Sequence, residues 1–301
     1  MDQMEDRGAA NRVDDDVDTH LSAEARASLH EAYGILARGD PAGDPVLLHE
    51  AITAFRWVVV RVFPGHPGSQ LFMGKLGECL QSRYAFTGNP VDLEGAILHL
   101  SQAIVLATFP NSHRFESKLA ECFASRYALK GDAADLERAI FTFGQAIECS
   151  PRGDPSVAGI QMRLGECLHG RYARNGAVVD VNNGIRAFGV AVRLSPPNSP
   201  DMPLFLDRLG TAIGRYARLA QQGVLAEAVM VLHDALKLMP SGSPDPTAHM
   251  DSVVKDLIER WVRCRDMVRL AEEIAQWQQV EKRAPQGTSA PRDDERRLPP
   301  P

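Results

Sequence analysis

The 301-residue chain has 44% hydrophobic residues and a net charge of −6, values typical of a globular protein with a continuous apolar core and without the basic patch of a nucleic-acid-binding protein. No apolar run approaches the roughly 20 residues of a membrane-spanning helix, and the acidic first residues do not resemble a secretory signal. We therefore expect a cytoplasmic protein that has neither nucleic-acid nor membrane partners.

Two helices are predicted at the start of the chain, after a polar tail. Residues 1–20 are strongly acidic, so we expect them to be disordered. Ser22 is placed to cap a first helix that can end at Gly39. Pro45 is favourable at the first position of a second helix, which should end before Pro64.

The chain then repeats one plan at a nearly fixed period. An Arg-Tyr pair recurs at steps of 43, 45 and 44 residues, in the copies Arg83-Tyr84, Arg126-Tyr127, Arg171-Tyr172 and Arg215-Tyr216. Apolar residues at spacing four precede each pair and cover one helix face, in the copies Phe72, Leu76, Leu80; Phe115, Leu119, Phe123; Ile160, Leu164, Leu168; and Phe205, Leu209, Ile213. This self-similarity predicts an all-α fold, an α-solenoid of helix-turn-helix units.

Glycine and aspartate mark the turn inside three of the units. The glycines are predicted to end the first helix in the left-handed conformation, and they are Gly88, Gly131 and Gly176. The aspartates are predicted as N-caps of the second helix, and they are Asp92, Asp135 and Asp180. The fourth unit has Val224 at the aspartate position and is expected to lose the cap.

The second helices carry a repeated pattern in which a small residue is followed by a bulky residue four places on, a second small residue seven places on and a proline twelve places on. The copies are Ala139, Phe143, Ala146 and Pro151; Gly184, Phe188, Ala191 and Pro196; and Ala228, Leu232, Ala235 and Pro240. Together with Leu76-Gly77 and its copies upstream, this series resembles the tetratricopeptide repeat. The resemblance covers about residues 22–280 and implies a right-handed superhelix whose first helices line a concave groove for proteins or peptides.

The units are longer than the usual tetratricopeptide repeat of roughly 34 residues. They look like the extended repeats of fungal and actinobacterial proteins, in which such arrays often precede a caspase-like peptidase domain of the CHAT type. Two function hypotheses follow from the resemblance. The first is a non-enzymatic scaffold for a protein or peptide partner, and the second is a regulatory or sensor arm for a separately encoded peptidase.

Two further helices are predicted after the fourth unit, which extends the repeat region over residues 21–281. They share a stripe formed by Val254, Leu257, Trp261 and Val268. This stripe either caps the last repeat or joins two copies of the chain, which would make the protein a structural homo-oligomer, and the oligomeric state is left open. Residues 282–301 are rich in proline and charge, and we expect them to be disordered.

The candidate binding residues lie on the first helices, on the face that the resemblance assigns to the groove. They are Glu78, Gln81, Glu121, Glu166, His169 and Thr211. Three glutamates in register would form an acidic ladder that favours a basic peptide, and the alternative is a solvated helix face. The Arg-Tyr pairs are interpreted as structural, with the Tyr between units and the Arg close to the Asp nine residues on.

No residue pattern indicates catalysis, a cofactor or a metal. The chain lacks GxxxxGK[ST], GxGxxG, GxSxG and HExxH motifs. Cys79, Cys122 and Cys167 share one repeat position, and equivalent positions on packed helices are too far apart for a disulfide, so we interpret them as core residues. We predict that the protein is not an enzyme and binds no cofactor or metal.

Overall fold

The computed structural model describes residues 21–37, 44–62, 66, 68–106, 112–239, 250–264 and 266–283. These residues form twelve helices and no strand, so the all-α prediction is confirmed. None of the described helices combines the length and the hydropathy that a membrane span requires. Several predicted features lie outside the described residues, namely the tail 1–20, the greater part of 282–301, Gly39, Pro64 and Pro240.

The chain divides into two compact units, and the first unit ends at Cys149. Its described helices are α1 (Ala23–Ala37), α2 (Pro45–Arg61), α3 (Ser69–Thr87), α4 (Pro90–Leu106), α5 (Ser112–Lys130) and α6 (Ala133–Cys149). Each helix packs against the next one along the chain, and α3 also contacts α5. The first helices of the repeat, α3 and α5, are therefore neighbours, as a helix-turn-helix stack requires.

The second unit begins at Ser150. Its described helices are α7 (Ser156–Asn175), α8 (Val178–Leu194), α9 (Met202–Tyr216), α10 (Gln222–Leu238), α11 (Ser252–Cys264) and α12 (Met267–Arg283). Helix α8 contacts α7, α9 and α10, and the last helix packs against α10 and α11. The C-terminal helices therefore cover the final repeat of this unit.

The predicted stripes form the core of each unit. Among the residues that are at most 2% exposed are Phe72, Leu76, Leu80, Ala139, Phe143, Ala146, Phe188 and Ala191. The small residue after the stripe leucine allows close helix packing, because a Cβ atom on Gly77 would lie 2.6 Å from the side chain of Leu100. Gly165 has the same role, since a Cβ atom there would lie 2.5 Å from the ring of Phe188. Phe123 and Leu164 are half-buried.

The glycines of the turns have the predicted conformation. The φ angles of Gly88, Gly131 and Gly176 are 64°, 70° and 70°, in the left-handed region that favours glycine. The N–H group of each glycine donates to the carbonyl of the repeat tyrosine four residues earlier, at 2.7–2.8 Å. These glycines therefore end α3, α5 and α7 as C-caps.

The aspartates predicted as N-caps lie inside the second helices instead, so this prediction is wrong. Helices α4, α6 and α8 start two residues earlier, which places Asp92, Asp135 and Asp180 at their third residue. The side chain of Asn89 accepts a hydrogen bond from the backbone N–H of Val91 at 3.1 Å. Asp132 accepts one from Ala134 at 3.0 Å. These two residues directly precede α4 and α6 and cap them, whereas arginines hold the carboxylates of the inner aspartates.

The C-terminal stripe is buried within the second unit except at its last member. Val254 and Leu257 are fully buried and Trp261 is 8% exposed, whereas Val268 is 69% exposed. This arrangement favours the capping interpretation of the stripe. The final helix reaches Arg283, two residues beyond the predicted end of the repeat region at residue 281.

A buried glutamine anchors the final helix to the end of α9. The Nε2 group of Gln278 donates to the carbonyl oxygens of Ala217 at 2.5 Å and Ala220 at 3.0 Å. Its Oε1 atom accepts a hydrogen bond from Gln222 at 2.7 Å. These bonds satisfy two carbonyl groups that follow α9, which ends without a glycine cap.

Candidate functional site

Three of the Arg-Tyr pairs hold a buried aspartate through a bidentate ion pair. The guanidinium nitrogens of Arg83, Arg126 and Arg171 lie 2.5–2.8 Å from both carboxylate oxygens of Asp92, Asp135 and Asp180. The aspartates are at most 2% exposed. The hydrogen bond from Arg126 lowers the pKa of Asp135, and the same bond raises the pKa of Arg126. Each of these arginines therefore lies beside the aspartate nine residues on, as the sequence spacing predicts.

The same arginines also reach the preceding second helix in the first unit. Arg126 donates to Glu94 of α4 at 2.7 Å, and Lys130 donates to the other oxygen of Glu94 at 2.7 Å. These hydrogen bonds lower the pKa of Glu94, with that from Lys130 the larger contribution. Arg83 lies 3.2 Å from Nδ1 of His49 on α2, at the equivalent position. Arg83 and Arg126 thus tie their own turns to the second helix of the preceding repeat.

The fourth Arg-Tyr pair is displaced by one residue. Counting from the stripe leucine, the arginine comes seven residues on in three units but six residues on from Leu209. Tyr216 therefore takes the helix position of the clamping arginine. Val224 takes the position of the aspartate when the count is made from the second helix, since it lies four residues before the small residue Ala228. Tyr216 and Val224 are both buried in one apolar cluster, at 6% and 4% exposure. Arg215 is exposed and lies four residues from Thr211 on the same helix face.

The predicted acidic ladder is paired with cations on its own helices. Each ladder glutamate forms an ion pair with the residue three places earlier, as Lys75–Glu78 (2.8 Å), Lys118–Glu121 (3.0 Å) and Arg163–Glu166 (3.1 Å). These cations were not predicted from the sequence, although an i, i+3 spacing on a helix is sufficient to predict such pairs. The ladder therefore presents alternating charges rather than a row of free carboxylates.

Two further contacts bring the ladder residues together within each unit. In the first unit, Gln81 of α3 donates to Oε2 of Glu121 on α5 at 2.6 Å. In the second unit, Arg208 of α9 lies 3.2 Å from Glu166 of α7. Arg208 has Thr211 in place of a glutamate three residues on, so it shares the carboxylate that Arg163 also binds.

Thr211 lines a surface groove of about 350 Å³ in the second unit. The groove lies between α9 and the residues before α11, and its lining residues are Asp207, Thr211, Gly214, Arg215, Met250 and Asp251. Asp251 also accepts a hydrogen bond from the N–H of Val253 at 3.2 Å and so caps α11. Hydroxyl, guanidinium, carboxylate and thioether groups converge here, which suits contacts with polar side chains of a polypeptide.

His169 has a packing role that the sequence did not reveal. Its ring lies 5.1 Å from the ring of Phe188 and 4.6 Å from that of Tyr216. A Cβ atom on Gly184 would lie 2.5 Å from the imidazole. Burial lowers the pKa of His169 to about 4, so the ring is neutral at ordinary pH. This predicted groove residue is enclosed by the aromatic side chains of its own unit.

The repeat cysteines are protonated core residues, and the described part of the chain has no cluster of metal ligands. Burial raises the pKa of Cys79, Cys122 and Cys167 to about 12, which agrees with their interpretation as core residues. Within the described part of the chain, no three His, Cys, Asp or Glu side chains are grouped to hold a metal ion. No protein-family model matches the sequence, and no curated protein matches it either.

Proposed function

We propose that the chain is a non-enzymatic scaffold of tetratricopeptide-like repeats that binds a protein or peptide partner on its first helices. In this proposal the helix-turn-helix repeats form an α-solenoid. The binding face consists of the outward side chains of the first helices, which are α3 and α5 in the first compact unit and α7 and α9 in the second. We call these side chains the first-helix face; its candidate residues are Lys75, Glu78, Gln81, Lys118, Glu121, Arg163, Glu166, Arg208 and Thr211.

The observation that carries the proposal is the recessed position of this face in the first unit. Helix α3 has no fully exposed residue from Ser69 to Tyr84, and α5 has none from Phe115 to Tyr127. The polar side chains in these stretches are only half-exposed. By contrast, the second helix α4 has exposed side chains along its whole length. Polar groups in a recessed face can contact a partner on several sides, which favours binding.

The arginine clamps supply the rigidity that such a face needs. A bidentate ion pair such as that of Arg126 with Asp135 fixes the first helix of a repeat against the second helix. Arg126 also binds Glu94, which lies on the second helix of the preceding repeat. Side chains on helices that are already fixed lose little further conformational freedom on binding. Repeated weak contacts can then sum to a useful affinity.

The ion pairs within the ladder limit how much a basic partner can gain. A lysine or arginine of the partner would have to share Glu78, Glu121 or Glu166 with the cation already bound there. Exposed ion pairs contribute up to about 1 kcal/mol each, so three glutamates together would change the affinity of a basic partner by roughly tenfold to a hundredfold. We therefore propose that the partner has a basic segment, whose contribution to the affinity is limited to this factor.

The test is affinity capture from a lysate of the native cell with the wild type and the triple variant E78Q/E121Q/E166Q. A matched control changes three exposed glutamates outside the first-helix face, in the variant E148Q/E259Q/E272Q, which has the same net charge. We expect the triple variant to lose the captured partner and its salt dependence, and the control to retain both. Equal capture by the two variants would remove the first-helix face as the binding site.

A further inference from the structure

The second helices of the first unit expose large apolar side chains at a regular spacing. On α4 these are Val91, Leu98 and Val105, which are 69%, 54% and 84% exposed. Their spacing of seven residues places all three on one face of the helix. Three large aliphatic side chains, each more than half exposed on one helix face, are unusual on a surface that contacts only water.

Helices α2 and α6 also expose large apolar side chains, at equivalent repeat positions. Val46 and Val60 on α2 are 65% and 79% exposed, and they correspond to Val91 and Val105. Phe141 on α6 is 66% exposed and corresponds to Leu98. We call these residues together with Val91, Leu98 and Val105 the apolar seam. In the second unit, α8 has Arg186 at the position of Leu98.

We infer that the apolar seam joins two copies of this chain through an antiparallel pairing of their α4 helices, with Leu98 on the twofold axis. The inference goes beyond the proposed partner-binding function and uses a different face of the first unit. It also differs from the alternative dimer through the C-terminal stripe, three of whose four residues are buried within their own unit.

The order of residues on α4 is self-complementary about Leu98. In an antiparallel pair, residues equally distant from the axis face each other, so Val91 meets Val105 of the second copy. Glu94 meets Gln102 by the same rule, and a carboxylate with an amide forms a hydrogen bond rather than a repulsive pair. The charge of Glu94 is already compensated by Arg126 and Lys130. The pairing therefore brings no two like charges together.

The exposed area is of the size that a dimer needs. At roughly 100 Å² of apolar area for each fully exposed side chain, the six seam residues offer roughly 400 Å² per copy. Interfaces are about 60% apolar, so this area corresponds to roughly 700 Å² of total surface per copy, close to the 800 Å² or so of a standard interface. The three α4 residues alone would supply only about half of it. The flanking residues on α2 and α6 are therefore required.

Within the first unit, such a dimer would leave free the part of the first-helix face that α3 and α5 form in each copy. Two binding faces on one particle can raise the apparent affinity for a partner with two binding segments, without any new contact. The seam would also cover the largest apolar exposures of the first unit.

The test is the oligomeric state of the full chain, measured by sedimentation at concentrations up to about 100 μM, far above the dissociation constant of a standard interface. We expect the wild type to be a dimer and Leu98→Glu to be a monomer, with a dissociation constant at least about 100-fold higher, because two carboxylates would meet at the axis. Leu98→Lys alone should also be a monomer. An equimolar mixture of the Leu98→Glu and Leu98→Lys proteins should restore the dimer.

A second pair of variants tests the antiparallel register. Val105→Glu should weaken the dimer, and the double variant V91K/V105E should restore it, because residue 91 faces residue 105 of the other copy. Arg186→Glu on α8 is the matched control and should leave the wild-type state unchanged, and circular dichroism checks that all variants are helical. A monomeric wild type would overturn the inference, as would a dimer that Leu98→Glu leaves intact or that the mixture fails to restore.

Discussion

Replacement of the clamp between Arg126 and Asp135 by the residues of the fourth unit is a direct test of how the repeats are held together. Arg126→Tyr copies Tyr216, and Asp135→Val copies Val224. The structure gives the two single changes and the double change different expected costs. A double-mutant cycle therefore separates a true clamp from two independent side chains.

The magnitudes follow from burial. Arg126→Tyr leaves the 2%-exposed carboxylate of Asp135 without its bidentate partner, which should lower the free energy of unfolding by about 3–5 kcal/mol. Asp135→Val leaves Arg126 bound to Glu94, so the loss should be smaller, at about 1–3 kcal/mol. The double variant has an apolar pair in place of the ion pair, and its stability should lie within about 2 kcal/mol of the wild type.

Urea denaturation followed by circular dichroism provides the free energies. We expect a coupling energy of at least about 2 kcal/mol between the two sites, with the double variant more stable than Arg126→Tyr alone. If the two losses simply add, the ion pair does not hold the turn, and the tyrosine and valine of the fourth unit are independent changes rather than a linked replacement.

Three further predictions concern single positions. Burial lowers the pKa of His169 from 6.5 to about 4, so its contribution to stability is complete above pH 6.5 and is lost as the pH falls to about 4. His169→Gln should remove about 3 kcal/mol of this pH dependence in acid titrations followed by urea denaturation. In thermal denaturation, Gly131→Ala at φ 70° should lower the free energy of unfolding by about 1 kcal/mol. Gly144→Ala, in open space within α6, should raise the free energy of unfolding slightly. Gln278→Ala should cost about 1–3 kcal/mol in urea denaturation, because two buried carbonyls lose their donor.

The helices and their buried faces could be predicted because both depend on local patterns. A stripe such as Phe72, Leu76 and Leu80 identifies its own helix face, and the left-handed glycines follow from residue type. The N-cap prediction is wrong for Asp92 and its copies, because an aspartate near a helix start can either cap the helix or form an ion pair with a nearby cation. Only the position of Arg83 across the turn decides between a cap and an ion pair.

The candidate site was predicted less completely, for two different reasons. The cations Lys75 and Lys118 were visible at helical spacing from the ladder glutamates, so their pairing could have been predicted from the sequence. The enclosure of His169 could not, because it depends on the ring of Tyr216 from another helix. Tyr216 reaches that position only because α9 has one residue fewer before its Arg-Tyr pair.

This missing residue explains why three departures occur together in the fourth unit. A deletion of one residue rotates the helix that follows by about 100°, which moves the arginine outward and the tyrosine inward. An aspartate opposite Tyr216 would then be buried without a cation, so an apolar residue such as Val224 is the stable choice. The outward rotation places Arg215 beside Thr211 in the groove. The same change that replaces the clamp thus presents the guanidinium group of Arg215 on the surface of α9. In the other three repeats the equivalent arginine is bound to an aspartate at the turn. We therefore expect partner selectivity to depend most on α9.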